Sequence, residues 1–290
     1  MKLLMILVGI IIAPLLGGLI TKIKNDLRMR QGQSILQPYY NLAKYFNKGE
    51  VVSGTASWIF RIAPFVIFAS ALASLFYLGE FLALIFIFSL GRFFLSLAAL
   101  DTGSTFGGMG SSREMFISSL SEPVACLACF AVSLQSGSTD LLAWKSFPLA
   151  TISALIAGVA LFLVMIAETA RIPIDNQETH LELTMIHEAM ILEYSGRSLA
   201  LIELASYIRQ MVWILIIAQV LLPVADPVGI TGLPLILWGF WYAVRVILVA
   251  IVISLLEIAV AKMRLFRAVD FFGFGFVLAA IAALCAVLGY

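Results

Sequence analysis

Ten ionisable side chains crowd into residues 168–198: Glu168, Arg171, Asp175, Glu178, His180, Glu182, His187, Glu188, Glu193 and Arg197. Both histidines of the chain are among them. Carboxylates and imidazoles at this density can accept, hold and pass on protons, although a solvated loop kept in water by its charges reads the same way. The acids do not stop at the segment. Glu122, beside Pro123, Glu203 and Glu257 all stand in apolar runs. A carboxylate in such a run costs several kcal/mol unless it is protonated, paired or hydrated, so it is a candidate for proton or ion transfer. Arg92, Arg209 and Arg245 are the available counter-charges. A structural ion pair is the competing reading for any one of these acids. Glu203 and Arg209 are six apart and lie on different helical faces, so their partners belong to other helices.

Other motifs carry less. His180 and His187 share a helical face, but His187-Glu188 has no second histidine at zinc-protease spacing. Cys126 and Cys129 have CxxC spacing inside an apolar run with no second pair, which points to packing rather than a cluster. The stretch Gly107 to Ser112 (GGMGSS) lacks the Lys-Ser/Thr ending of a phosphate loop and reads as a flexible inner loop.

The elements that must position these residues follow from composition. Of 290 residues, 62% are hydrophobic and 12% charged, against roughly 45–50% and 25% in soluble domains. The mean hydropathy is +1.06. The bilayer is the natural solvent, and a net charge of +1 argues neither for nucleic acid nor for an acidic partner. A spanning helix needs about 20 apolar residues. That rule predicts an all-α polytopic membrane protein, one integral domain over 1–290 with about eight transmembrane helices, near 3–21, 58–78, 81–100, 115–135, 147–167, 199–222, 233–258 and 269–289. The first run reads as a retained helix rather than a cleaved leader. Tyr77 to Glu80 is short enough for a tight helical hairpin. Pro173 marks the end of the fifth span, and 178–194 is helix-compatible, with Glu182 and Glu193 on nearly one face.

Lys and Arg set the orientation. With the N-terminus outside, the inner segments hold Lys22, Lys24, Arg28, Arg30, Lys44, Lys48, Arg113, Arg171, Arg197, Lys262, Arg264 and Arg267, against Lys2 and Lys145 outside. The larger loops, about 22–57, 101–114 and 168–198, are then cytoplasmic. In the first of them, Leu42 to Phe46 suits an interfacial helix.

Three stretches resemble a known family. Arg28 to Lys44 (RMRQGQSILQPYYNLAK) is similar to the first cytoplasmic loop of the complex I subunit 1 superfamily, and Glu168 to Asp175 (ETARIPID) to its loop after the fifth helix. Thr179 to Gly196 (THLELTMIHEAMILEYSG) resembles the branch found in energy-converting membrane-bound [NiFe] hydrogenases and formate hydrogenlyase-type complexes. Gln31 and Gln33 stand where the family usually has an arginine and a proline, and Asn41 where an acid is common.

The resemblance implies a membrane-anchor subunit that couples electron transfer to H⁺ or Na⁺ translocation. Hydrogenase large and small (iron–sulfur) subunits would dock on the cytoplasmic side, and antiporter-like subunits would lie beside it in the cell membrane. It implies Glu168, Arg171, Asp175, Glu182, Glu188 and Glu193 at the junction with the cytoplasmic arm, and Glu122 and Glu203 on a path deeper in the membrane. Arg28, Arg30, Gln37, Pro38, Tyr39, Tyr40 and Lys44 would form the docking surface. The [NiFe] centre and iron–sulfur clusters are expected in the partners and no cofactor in this chain. Two alternatives stay open: a quinone-binding subunit of a respiratory NADH dehydrogenase, and an independent secondary transporter.

Overall fold

The computed structural model describes residues 2–140, 151–175, 185–223 and 233–289, without side chains for 2–5 and 233–238. The described residues are helical almost throughout, with no strand among them. The long helices are α1 (Lys2–Leu27), α3 (Trp58–Phe76), α4 (Phe81–Asp101), α5 (Thr105–Ser136), α6 (Ile152–Glu168), α8 (Gly196–Leu221), α9 (Leu233–Ala259) and α10 (Ala268–Leu288). Two shorter ones, α2 (Gln37–Asn47) and α7 (His187–Ile191), lie between them.

Seven of the eight long helices are long and apolar enough to cross a membrane. The eighth, α6, has 17 described residues, about 26 Å at 1.5 Å per residue, close to the roughly 30 Å hydrocarbon thickness. The chain is thus a multi-pass α-helical membrane protein. The long helices alternate in direction. Ser254 of α9 bonds to Ile20 near the end of α1, and Ser153 at the start of α6 to Ala282 near the end of α10. One end of the bundle therefore gathers 28–57, 102–104, 169–175, 185–195 and 260–267. The other holds the four-residue turn 77–80, as its brevity predicts.

Local chemistry explains several boundaries. Ser57, Ser104 and Thr151 cap α3, α5 and α6 by accepting from backbone N–H groups of the first turn. Asp101 accepts from the Ser57 N–H at 2.8 Å, tying the end of α4 to the start of α3. A helix is present where 42–46 suggested one and is longer, opening at Gln37-Pro38 with proline in the first turn, where its missing donor costs nothing.

Two expectations need correction. The stretch 101–114 is not a loop: α5 begins at Thr105 and only Thr102 to Ser104 connect it to α4. The glycines read as flexibility serve close packing instead. A Cβ on Gly107 would stand 2.5 Å from the Ala99 carbonyl oxygen, and one on Gly110 would press on Ile186 and Ala189. The helix expected over 178–194 is, within the described residues, only His187–Ile191, so Glu193 lies outside it. Residues 176–184, with Glu178, His180 and Glu182, are outside the described residues, as is Lys145.

Packing builds the rest. α3 lies against α4 and α8, α5 against α4, α6 and α10, and α1 against α8 and α9. The segment before α2 closes on α1 at Gly18, where a Cβ would come within 2.1 Å of the Ile35 carbonyl oxygen. That contact is with backbone and cannot be relieved by a rotamer change. Gly18→Ala should therefore lower stability by about 1–3 kcal/mol. Gly108→Ala, which meets nothing within 4 Å, should be neutral or gain about 0.5–1 kcal/mol from helix propensity. Thermal unfolding of the two variants in detergent checks both.

Candidate functional site: a polar cavity framed by buried ion pairs

Three clusters of charge gather where the long helices meet the connecting segments. In the first, the Arg92 guanidinium, 4% exposed, reaches Glu168 at 2.5 Å and Glu122 at 2.8 Å. Ser89, one turn before Arg92 on α4, donates to Glu122 at 2.8 Å. One cation thus ties α4 to α5 and α6. The second Glu168 carboxylate oxygen has no hydrogen-bond partner among the described residues.

In the second cluster, Glu257 near the end of α9 holds Arg171 at 2.5 Å and Lys24 at 3.1 Å. All of these are largely shielded from solvent. In the third, Asp175 receives Lys262 at 3.0 Å on one oxygen. Its other oxygen accepts the backbone N–H groups of Ile186 and His187 at 3.1 and 3.0 Å. Asp175 thereby holds both the start of α7 and the segment after α9.

Between these clusters lies a cavity of about 200 Å³. Its ionisable walls are Glu168, Arg171, His187, Glu188, Glu203, Tyr207 and Arg209, supplied by the end of α6 and the segment after it, the start of α7 and the first half of α8. Its far wall is α1 at Gly17, Gly18 and Thr21, and its rim is Gln33, Ser34, Pro38 and Asn41. α7 lies outside the spanning helices, and burial, reinforced by the nearby Arg209 charge and opposed by Asp175, pushes the His187 imidazole down to about 4. It is neutral at pH 7.

The structure brings Glu168, Arg171, Glu188 and Glu203 to one cavity and joins Glu122 to it through Arg92. Asp175 stands just behind the α7 wall. Glu203 sits two turns into α8 and also lines the space beneath α2. Glu193 is exposed and lines no part of the cavity. The docking set also divides. Pro38 is buried at the cavity rim and Tyr39 donates to the Ile11 carbonyl, while Gln37 donates to Asn41 at 3.1 Å. Arg30, Tyr40 and Lys44 face outward, and Arg28 is half-buried.

Sequence reading missed Lys24, counted only as an inside-positive residue, because the first span was ended at residue 21 and α1 runs on to Leu27. It also missed Tyr207, which lines the cavity and has the look of an ordinary interfacial tyrosine. The i, i+4 spacing of Glu203 and Tyr207 was the available signal.

A multi-pass bundle whose spanning helices carry paired charges around a polar chamber is a membrane protein built to place charge inside the bilayer. The chain belongs to the NADH dehydrogenase family, matching it over residues 1–288, in agreement with the resemblance to complex I subunit 1. It is 31% identical to hydrogenase-4 component C of Escherichia coli (strain K12), over 94% of this chain and 91% of that protein. It is 29% identical to formate hydrogenlyase subunit 4 of the same organism, over 95% of each. Its fold matches a chain of the membrane-bound sulfane sulfur reductase, an archaeal respiratory membrane complex, with a TM-score of 0.84 at 19% identity over 98% of both chains.

Removing one member of a buried pair strands the other, at a cost of about 3–5 kcal/mol, whereas replacing both by apolar groups is nearly neutral. Arg92→Met should therefore destabilise strongly, and Arg92→Met with Glu168→Met should recover most of the loss in denaturant unfolding. The imidazole makes a second test. The unfolded chain takes up the His187 proton near pH 6.5 and the folded chain only near pH 4. The stability this residue contributes is complete above 6.5 and is lost as pH falls from 6.5 through 4. His187→Gln should show a smaller drop in melting temperature between pH 7 and pH 5 than the unmodified protein, and equal drops would refute the assignment.

Proposed function

We propose that this chain is the membrane-anchor and coupling subunit of an energy-converting [NiFe] hydrogenase complex. It docks a cytoplasmic redox arm and links electron transfer to movement of H⁺ or Na⁺ across the cell membrane, with its N-terminus outside. The observation that carries the reading is the cavity itself: a chamber on the charge-rich end of the bundle, lined by Glu168, Glu188 and Glu203 and connected through Arg92 to Glu122 between α4 and α5. The two Escherichia coli relatives, named as components of hydrogenase-4 and formate hydrogenlyase, support it.

The step assigned to the chain is electrostatic. A redox or protonation change in the arm alters the charge facing Glu188 and Arg171. Each pKa unit by which a carboxylate then shifts corresponds to 1.36 kcal/mol, so protons redistribute along the acids. Arg92 couples Glu168 to Glu122, since a proton gained by one releases guanidinium charge to the other. The [NiFe] centre and iron–sulfur clusters are placed in hydrogenase large and small subunits, and antiporter-like subunits beside the bundle.

The alternative of a quinone-binding subunit has less support here. Small-molecule sites run to about 300–1,000 Å³ with mainly apolar walls, whereas this chamber is near 200 Å³ and mostly polar.

Gentle detergent purification of the tagged protein, with mass spectrometry and metal analysis of what accompanies it, should find nickel, iron and a hydrogenase large subunit. A flavin-containing NADH module without nickel would move the assignment to the quinone reading, and a stable metal-free lone chain to a transporter. Glu188→Gln should assemble normally and retain hydrogen chemistry while losing most of the ion gradient. Full coupling in the assembled variant would remove Glu188 from the path.

A further inference from the structure

The segment between α2 and α3 frames a separate opening at the charge-rich end of the bundle. Phe46 and Asn47 at the end of α2, the following Lys48, Gly49 and Glu50, and Arg197 in the first turn of α8 line an open pocket of about 450 Å³. None of these residues lines the central cavity, and none belongs to the three ion-pair clusters.

The frame of the pocket is fixed. The Ser195 hydroxyl donates to the Val51 carbonyl at 3.0 Å and accepts the Val51 N–H at 2.8 Å. Gly196 has a φ of +56°. A Cβ there would stand 2.8 Å from the Gly49 carbonyl oxygen and 2.9 Å from that of Lys48. Ser198 donates to the Glu50 carboxylate, so the one acid in the wall is already engaged. The two cations are not. Lys48 and Arg197 are exposed, and neither side chain forms a hydrogen bond or ion pair with a described residue. Their backbones are held at the edge of one pocket with both charges left for a ligand.

The depth of the pocket indicates the ligand. α8 has 26 residues, about 39 Å at 1.5 Å per residue, and so overruns the roughly 30 Å hydrocarbon layer by several ångströms at each end. Arg197, its second residue, then stands among lipid headgroups. Phe46 in the wall is 41% exposed, and Val51, next to Glu50, is 75% exposed. Such apolar surface beside cations suits a membrane interface rather than bulk water. We infer that the pocket binds the headgroup of an anionic phospholipid, with the phosphate between Lys48 and Arg197 and the glycerol against Phe46. Basic pockets between spanning helices hold acidic headgroups by the same chemistry. A phosphate there ties residues 48–51 to the head of α8 by charge, in addition to the Ser195 hydrogen bonds. Lipid binding at this pocket is independent of the coupling role given under Proposed function.

The test is equilibrium binding of NBD-labelled phosphatidylglycerol, read by fluorescence anisotropy, to the assembled complex purified in gentle detergent and stripped of lipid. Unlabelled phosphatidylglycerol should displace the probe, and phosphatidylcholine should not. Lys48→Ala or Arg197→Ala should weaken binding about fivefold and the double variant about thirtyfold, with subunit composition unchanged. Glu50→Gln keeps an acceptor for Ser198 and removes the opposing charge, so it should tighten binding. Arg264→Ala, at an exposed arginine outside the pocket, should leave it unaltered. Equal displacement by phosphatidylcholine would overturn the proposal in favour of apolar adsorption. Displacement by glycerol 1-phosphate at the same concentration would overturn it in favour of a soluble phosphate. An equal loss in Arg264→Ala would reduce the site to diffuse surface charge, and loss of a subunit from the double variant would make Lys48 and Arg197 a protein contact instead.

Discussion

A charge inside an apolar bundle must find a partner, and much of this architecture follows from that requirement. Arg92 sits in the middle of α4 with almost no exposure, where the cost of an unpaired guanidinium is prohibitive. Its two carboxylate partners come from α5 and α6, so pairing sets how those three helices stand relative to one another. The Lys24–Glu257–Arg171 cluster does the same for α1, α9 and the segment after α6. Hydrophobic burial drives little helix association in lipid, because acyl chains are as apolar as leucine. Ion pairs and close backbone contacts have to supply the specificity.

The close contacts are the second ingredient. Gly17, Gly18, Gly107 and Gly110 each lie where a methyl group would strike a neighbour. At Gly17 the space is taken by the Tyr207 ring, at Gly18 by the backbone of residue 35, and at Gly107 by the end of α4. Small residues let helices and connecting segments approach until their polar groups meet, which is how the 28–36 segment comes to roof a cavity that the spanning helices only wall. The same contacts keep the cavity small, at about 200 Å³.

Asp175 shows how a connecting segment becomes part of the site. It binds Lys262 on one side and the amides that open α7 on the other, so the wall carrying His187 and Glu188 is anchored to the end of α9. Arg245, by contrast, is occupied at the other end of the bundle, donating to the Leu222 carbonyl at 2.5 Å where α8 ends. It serves the helix terminus and has no share in the cavity.

From composition and apolar run length alone, the membrane class, the number of spans and the alternation of their directions were legible, because the thickness of the bilayer leaves helices few options. The motifs at 28–44, 168–175 and 179–196 were enough for the family, and of the acids and bases singled out for the site, Glu168, Arg171, Glu188 and Glu203 line one cavity. Which acid meets which base was not legible. Arg92 pairs across 76 residues with Glu168 and Lys24 across 233 with Glu257, distances over which spacing carries no information. Nor did sequence reveal that GGMGSS is helical, since glycine reads as freedom until a neighbour's carbonyl oxygen occupies the space a side chain would need. Glu193 was grouped with Glu188 for the junction, but it is exposed and lies beyond α7, which ends at Ile191. Pairing, phase and enclosure are properties of helices packed against one another, and only the tertiary structure decided them.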